Sequence, residues 1–191
     1  MLQNVVPEMF QGVPKSVHVV NDGVSVMAGE SALKIPLDPA EAITLSGEDG
    51  SIGLKLVGAE GLATIDASGA LIFGYPDGSS VAVMPKGNAS VQMTMVIESD
   101  KSATSYDYAF VLPDGATIVP AVGGELLLVS VEGRLLGAIA APWAVDSNGV
   151  DVPTRFIVSG NVVSQIVDHS SGDFAYPIVA DPYMSRNLIS H

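Results

Sequence analysis

In VQMTMVIE, residues 91–98, Val91, Met93, Met95 and Ile97 occupy one set of alternate positions, while Gln92, Thr94 and Glu98 occupy the other. In SYDYAFVL, residues 105–112, Tyr106, Tyr108, Phe110 and Leu112 do the same. Successive side chains of an extended chain leave opposite faces of the pleat, so a period of two predicts half-buried strands. Further stretches of this kind fall at 17–20, 24–27, 31–36, 42–46, 52–57, 62–66, 70–74, 80–84, 116–120, 125–131, 153–158 and 162–168. Between them lie Asp22-Gly23, Asp49-Gly50, Ser68-Gly69, Asp77-Gly78, Asp114-Gly115, Asn148-Gly149 and Gly160-Asn161. Such pairs tolerate positive φ and close short hairpins. The expected fold is all-β: an antiparallel β-sandwich, or two packed sandwiches sharing a sheet, with very little helix.

Helical signals are few. In LDPAEAI (37–43), Asp38 as N-cap, Pro39 at the first helical position and Glu41 two residues later predict a single turn of helix. GRLLGAIAAPW (133–143) fits a short helix by its apolar spacing, but Gly137 and Pro142 argue for a strand or an extended crossing. One β-rich domain is expected over 15–184, with a sub-boundary at the turn YPDGSS (75–80). A loose arm (1–14) and a frayed tail (185–191) flank it.

Composition narrows the chemistry. The 191 residues hold 21 acids and eight bases, a formal net charge of −13. The bases are scattered singly, whereas binding to nucleic acid or an anionic membrane needs clustered cations, so neither partner is expected. With no cysteine, disulfides, zinc-thiolate sites and thiol nucleophiles are excluded. Charged residues make up 15%, against about 25% in ordinary globular chains. Ser, Thr, Gly and Asn cover the surface instead, a balance common in exported β proteins. The start, MLQNVVPEMFQGVP, lacks the basic and apolar blocks of a signal peptide. No uncharged run reaches the roughly 18 residues that span a bilayer, so no membrane insertion is expected.

Four groups of residues are candidates for chemistry. Asp146, Asn148 and Asp151 in DSNGVD have the spacing that opens a calcium loop, without the bidentate acid that should close it; a plain Asn-Gly turn explains the same residues. Asp168, His169, Ser170 and Asp173 carry the groups of a hydrolase, but neighbours on one strand diverge, and a turn also favours these types. Tyr106, Tyr108 and Phe110 form either a sugar-binding aromatic platform or, by their strict alternation, core. Apart from these four groups, Asn88-Ala89-Ser90 matches a glycosylation sequon.

The fourth group is FAYPIVADPYM (174–184). Tyr176, Ile178 and Ala180 alternate with Pro177 and Val179, so both faces are apolar and the segment should be a buried closing strand. Pro177 cannot donate to a ladder, which places the segment at a sheet edge or at a strand's start. Pro182 should stop the strand and hold Asp181 extended, where its carboxylate accepts hydrogen bonds from turn amides.

ATSYDYAFVLPDGATI (103–118), PWAVDSNGVDVPTRFIVSGNVVSQIVDH (142–169) and YPIVADP (176–182) together resemble a β-rich domain of secreted actinobacterial proteins. The ending is similar to the YPVxxDP-type segment that closes β domains in bacterial wall-associated and repeat-containing surface proteins. The likeness covers about residues 80–183, and 28–56 fits the same kind of protein. It implies export and a cell-surface setting, and carries no catalytic residue. Relatives often have an aromatic tail after the Asp-Pro; here YMSRNLISH follows.

The expected function is therefore a non-catalytic extracellular or cell-surface β module, a scaffold or adhesion unit, with a cell-wall glycan or a protein as partner and no required cofactor. Three alternatives stand beside it. They are a hydrolase of polysaccharide or peptide using paired carboxylates, a calcium-dependent adhesion or carbohydrate-binding module, and a carrier domain for a C-terminal peptide.

Overall fold

The computed structural model describes residues 17–20, 22–87 and 90–186; the arm at 1–14, residues 187–191, and Asn88 and Ala89 of the sequon lie outside them. Eighteen strands follow one another. They are β1 (Val17–Val20), β2 (Gly23–Ala28), β3 (Ser31–Pro36), β4 (Ile43–Gly47), β5 (Gly50–Leu56), β6 (Glu60–Ile65), β7 (Leu71–Gly74), β8 (Ser80–Lys86) and β9 (Ser90–Ile97) in the first half. The second half holds β10 (Ser105–Val111), β11 (Thr117–Pro120), β12 (Leu126–Val129), β13 (Leu135–Ile139), β14 (Trp143–Val145), β15 (Thr154–Ser159), β16 (Val162–Val167), β17 (Ile178–Asp181) and β18 (Tyr183–Arg186). The segment at 37–43 makes a turn and no helix: Asp38 accepts the Ala40 N–H on its side chain and the Glu41 N–H on its carbonyl. The cap forms as expected, but Ile43 is already committed to β4.

All the strands pair antiparallel, in two sheets. The first (sheet A) has the order β1-β2-β3-β4-β5-β10-β16-β15. The second (sheet B) runs β11-β12-β13-β18-β9-β8-β7-β6, with β17 between β14 and β9. Hairpins built on the Gly turns make most neighbours sequential. The exceptions are β10, which joins β5 to β16, and the closing segment, which joins β9 to β13 and β14. The inward residues of both sheets merge in one core, with Leu33, Ile35, Leu45 and Leu54 on one side and Phe73, Met93, Met95 and Leu128 on the other. Burial of such side chains contributes about 2 kcal/mol each and is the main force holding the layers together.

The closing segment is central in its sheet. Ile178 pairs with Ile97, Tyr183 with Gln92 and Met184 with Val91, so β17 and β18 lie on β9 in one unbroken register across Pro182. Met93 donates its N–H to the Pro182 carbonyl at 3.0 Å. On the other side Ile139 pairs with Met184 and Trp143 with Asp181, so the register shifts by one residue where β13 gives way to β14. Pro182 turns its carbonyl, and with it the nitrogen that carries no hydrogen, toward β9, so the proline inside the sheet forgoes one ladder bond to that strand. Pro177 precedes β17, joined to Tyr176 by a cis peptide bond. Of the two positions open to it in the sequence, the strand's start is the one found.

The last strand runs through Ser185 and Arg186, past the 184 bound expected for the domain. Arg186 points inward and crosses to sheet A, where its Nη1 donates to the carbonyls of Leu45 (3.3 Å) and Gly50. A Cβ on Gly47 would lie 2.8 Å from the Arg186 Cζ, so the guanidinium fills the space that this glycine leaves. Burial holds the Arg186 pKa below its ordinary value, and Asp49 opposes that in part.

Candidate functional site

The turn after β14 is organised by Asp146. Its Oδ1 accepts the N–H groups of Asn148 (2.9 Å) and Val150 (2.8 Å), and its Oδ2 accepts that of Ala175 (2.9 Å). These bonds, led by that from Ala175, lower the Asp146 pKa. Gly149 supplies the positive φ of +80° that the turn requires. Asn148 and Asp151 are exposed, and the acid that would lead a calcium loop is directed at three amides. Among the described residues, no three His, Asp or Glu side chains are grouped as metal ligands.

His169 is buried between the turn after β16 and the loop before β10. Its Nε2 is 3.0 Å from the Ala103 carbonyl and its Nδ1 is 2.8 Å from the Tyr176 hydroxyl. A carbonyl only accepts, so Nε2 carries the proton and Nδ1 accepts from Tyr176. The two rings meet edge to face, with centroids 5.6 Å apart. Ser170 and Asp173 are exposed on the turn. Both imidazole nitrogens are thus engaged with partners other than these acids and the serine.

Tyr106, Tyr108 and Phe110 retain only 4%, 2% and 5% of their surface. They pack in the core, which overturns the aromatic-platform expectation and follows from their common face on β10. The Tyr106 hydroxyl donates to Asp77 Oδ2 at 3.3 Å, and burial pushes its pKa up to about 12. Burial also drives the Tyr108 phenol well above its ordinary range, and its hydroxyl has no hydrogen-bond partner among the described residues. Asp77 in turn takes the N–H groups of Ser79 (2.9 Å) and Ala103 (2.8 Å), tying the β7–β8 turn to the start of β10.

Asp181 is bound differently from the expectation. Its Oδ2 accepts from the indole Nε1 of Trp143 at 2.8 Å and from Gln92 Nε2 at 3.1 Å, and no turn amide reaches it. Its Oδ1 is buried without a hydrogen-bond partner among the described residues. Burial raises the Asp181 pKa to about 6, opposed by the bonds from Trp143 and Gln92 and by the charge of Lys86. Gln92 and Trp143 are 89 and 38 residues away in sequence, so only the strand pairing brings these groups together. The alternation in β9 that turns Gln92 outward was the one available signal.

A pair of carboxylates does occur, at exposed turns. Glu48, after β4, has Glu30, after β2, as its neighbour, and this second acid raises its pKa. Several open clefts lie at the margins of the sandwich, two of which bear on the candidate residues. One, of about 370 Å³, is walled by Tyr75, Tyr106, Asp77 and Glu60. The other, of about 330 Å³, lies between β15 and the β11–β12 turn, with Phe156 and Val158 facing Leu126 and Pro142. No family model, curated protein or solved structure matches the chain.

Proposed function

We propose that this chain is a non-catalytic β module of an exported bacterial protein, acting at the cell surface as a scaffold or adhesion unit. One observation carries the reading: the side chains best suited to chemistry are engaged in internal bonds. Asp146 holds three backbone amides, His169 uses both ring nitrogens, and Tyr106 and Phe110 pack inside the sandwich. A general base or metal ligand needs a lone pair directed at substrate, which these groups do not offer. The sparse, scattered bases, the absence of cysteine and the resemblance to secreted surface domains support the same reading.

A binding screen against cell-wall glycans, peptidoglycan and cell-surface proteins, run beside hydrolysis assays on polysaccharides and peptides, tests it. Saturable binding without turnover is the expected result. Turnover that disappears when a carboxylate is replaced by its amide would overturn the proposal in favour of a hydrolase. Melting curves with calcium and with chelator should coincide, because a ligand of the native state must raise its stability. A midpoint that rises with calcium would establish the calcium-dependent module instead.

A further inference from the structure

The cleft beside β15 is bordered by a strand edge that has no partner among the described residues. Phe110 donates its N–H to the Asn161 carbonyl (2.7 Å) and Val167 donates to the Thr104 carbonyl (2.8 Å), so odd-numbered residues around β16 direct their backbone groups toward β10. Antiparallel ladders alternate, so Val162, Ser164 and Ile166 direct theirs toward β15. Those three pair with Ser159, Ile157 and Arg155. The N–H and C=O groups of Thr154, Phe156 and Val158 therefore point away from the sheet, and these same residues line the cleft.

Just before β15 that side is still paired, since Val152 donates to the Ala144 carbonyl at 2.9 Å. The partner strand begins only at Trp143, because Pro142 has no N–H to continue it. Beyond this point the edge is open. The other terminal strands are blunted by familiar means. Among these, β1 and β11 have four residues each, β11 ends in Pro120, and β6 has a register shift between Glu60 and Thr64. By contrast, β15 presents six residues in unbroken register with β16 and leaves Ile157 46% exposed.

We propose that β15 is a docking edge for an extended peptide of another protein, which adds to sheet A as a further strand. Backbone pairing with Thr154, Phe156 and Val158 supplies the attachment, and the cleft selects side chains. Alternate residues of the peptide enter between Phe156 and Val158 on one wall and Leu126 and Pro142 on the other, and are apolar. The intervening residues lie in solvent beside Arg155, whose guanidinium makes no ion pair among the described residues. An acidic residue there completes the match. Charge also disfavours a second copy as occupant, because each copy carries a formal charge of −13. This inference specifies the site of the binding module proposed for the chain, yet fails separately: a module can bind glycan elsewhere with β15 unoccupied.

A phage-displayed library of random peptides of roughly ten residues, long enough to span one strand, is the probe. Selected peptides should alternate apolar and polar residues and carry an acid, and should slow amide exchange at Phe156 and Val158 by at least about tenfold. Methylating alternate peptide nitrogens should abolish binding, as should Val158→Pro, while Arg155→Glu should weaken it about tenfold. The proposal is overturned if no peptide is selected or if the selected peptides leave those amides unaffected. It is also overturned if the methylated peptide binds as well as its parent, or if the free protein sediments as a dimer with the same amides already protected.

Discussion

Two stretches of the chain, 178–186 (β17 and β18) and Thr154–Ser159 (β15), meet opposite circumstances. The first lies between β9 on one side and β13 and β14 on the other, so its backbone is engaged along both edges. Its polar side chains have distant partners as well, Asp181 in Trp143 and Gln92, Arg186 in two carbonyls of the facing sheet. The second is paired along one edge only, and Arg155 and Ile157 on its outer face are exposed. What separates the two is how many sides of the strand are occupied. A locked strand determines the fold, whereas an open one is available for recognition.

The comparison can be broken most forcefully with proline. Ala180→Pro removes an N–H from a fully partnered, buried strand and should cost about 3 kcal/mol or more, read as a lower denaturation midpoint. A small change would show that the closing strand is not central. Arg186→Ala comes next. Losing the charged donors to Leu45 and Gly50 should cost roughly 2–3 kcal/mol by urea unfolding, with Arg186→Lys recovering part.

Asp181→Asn should act in the opposite direction. The folded chain binds the Asp181 proton more tightly than the unfolded chain does, because the pKa rises from 3.8 to about 6. The stability owed to this group is therefore full below the unfolded value and declines as pH rises toward the folded one. The amide keeps an acceptor for Trp143 without the buried charge. It should stabilise the protein by about 2 kcal/mol at neutral pH and flatten the pH dependence between about pH 4 and 6. A loss of stability at neutral pH would show that the ionised group is favoured by its surroundings.

The tyrosines sharpen the contrast between satisfied and unsatisfied groups. Tyr176→Phe strips His169 Nδ1 of its donor and should cost about 1 kcal/mol. Tyr108→Phe deletes a buried hydroxyl that has no partner and should be neutral or stabilising by up to about 1 kcal/mol. Smallest of all is Val158→Pro. Its lost N–H faces the cleft, so thermal unfolding should change by less than about 1 kcal/mol. A loss as large as that of Ala180→Pro would mean that the edge is already occupied.

Much of this architecture was legible from local pattern. Alternation located the strand at 31–36 to the residue and most others to within two, because burial on one face enforces a period of two. What failed was local in a different sense. The turn of helix expected at 37–43 lost to the pairing of Ile43 with Leu54, and β14 was hidden by its three-residue length and by Pro142. Strand order was invisible where partners are far apart, as for β10 between β5 and β16. The same distance hid the donors to Asp181, since no local rule joins residues 92, 143 and 181. The calcium spacing around Asp146 and the aromatic alternation on β10 were real patterns. Backbone amides satisfy the first and the core absorbs the second.

The position of residues 178–186 also sets an order of events during synthesis. Without residues 178–186, β6–β9, β11–β13 and β14 would have no strand to join them into sheet B. A nascent chain halted at Ser170 would hold its early hairpins and half a core, with these pieces open to chaperones. Completion then waits on pairing across 81 residues, from Ile97 to Ile178, which favours slow closure over early collapse.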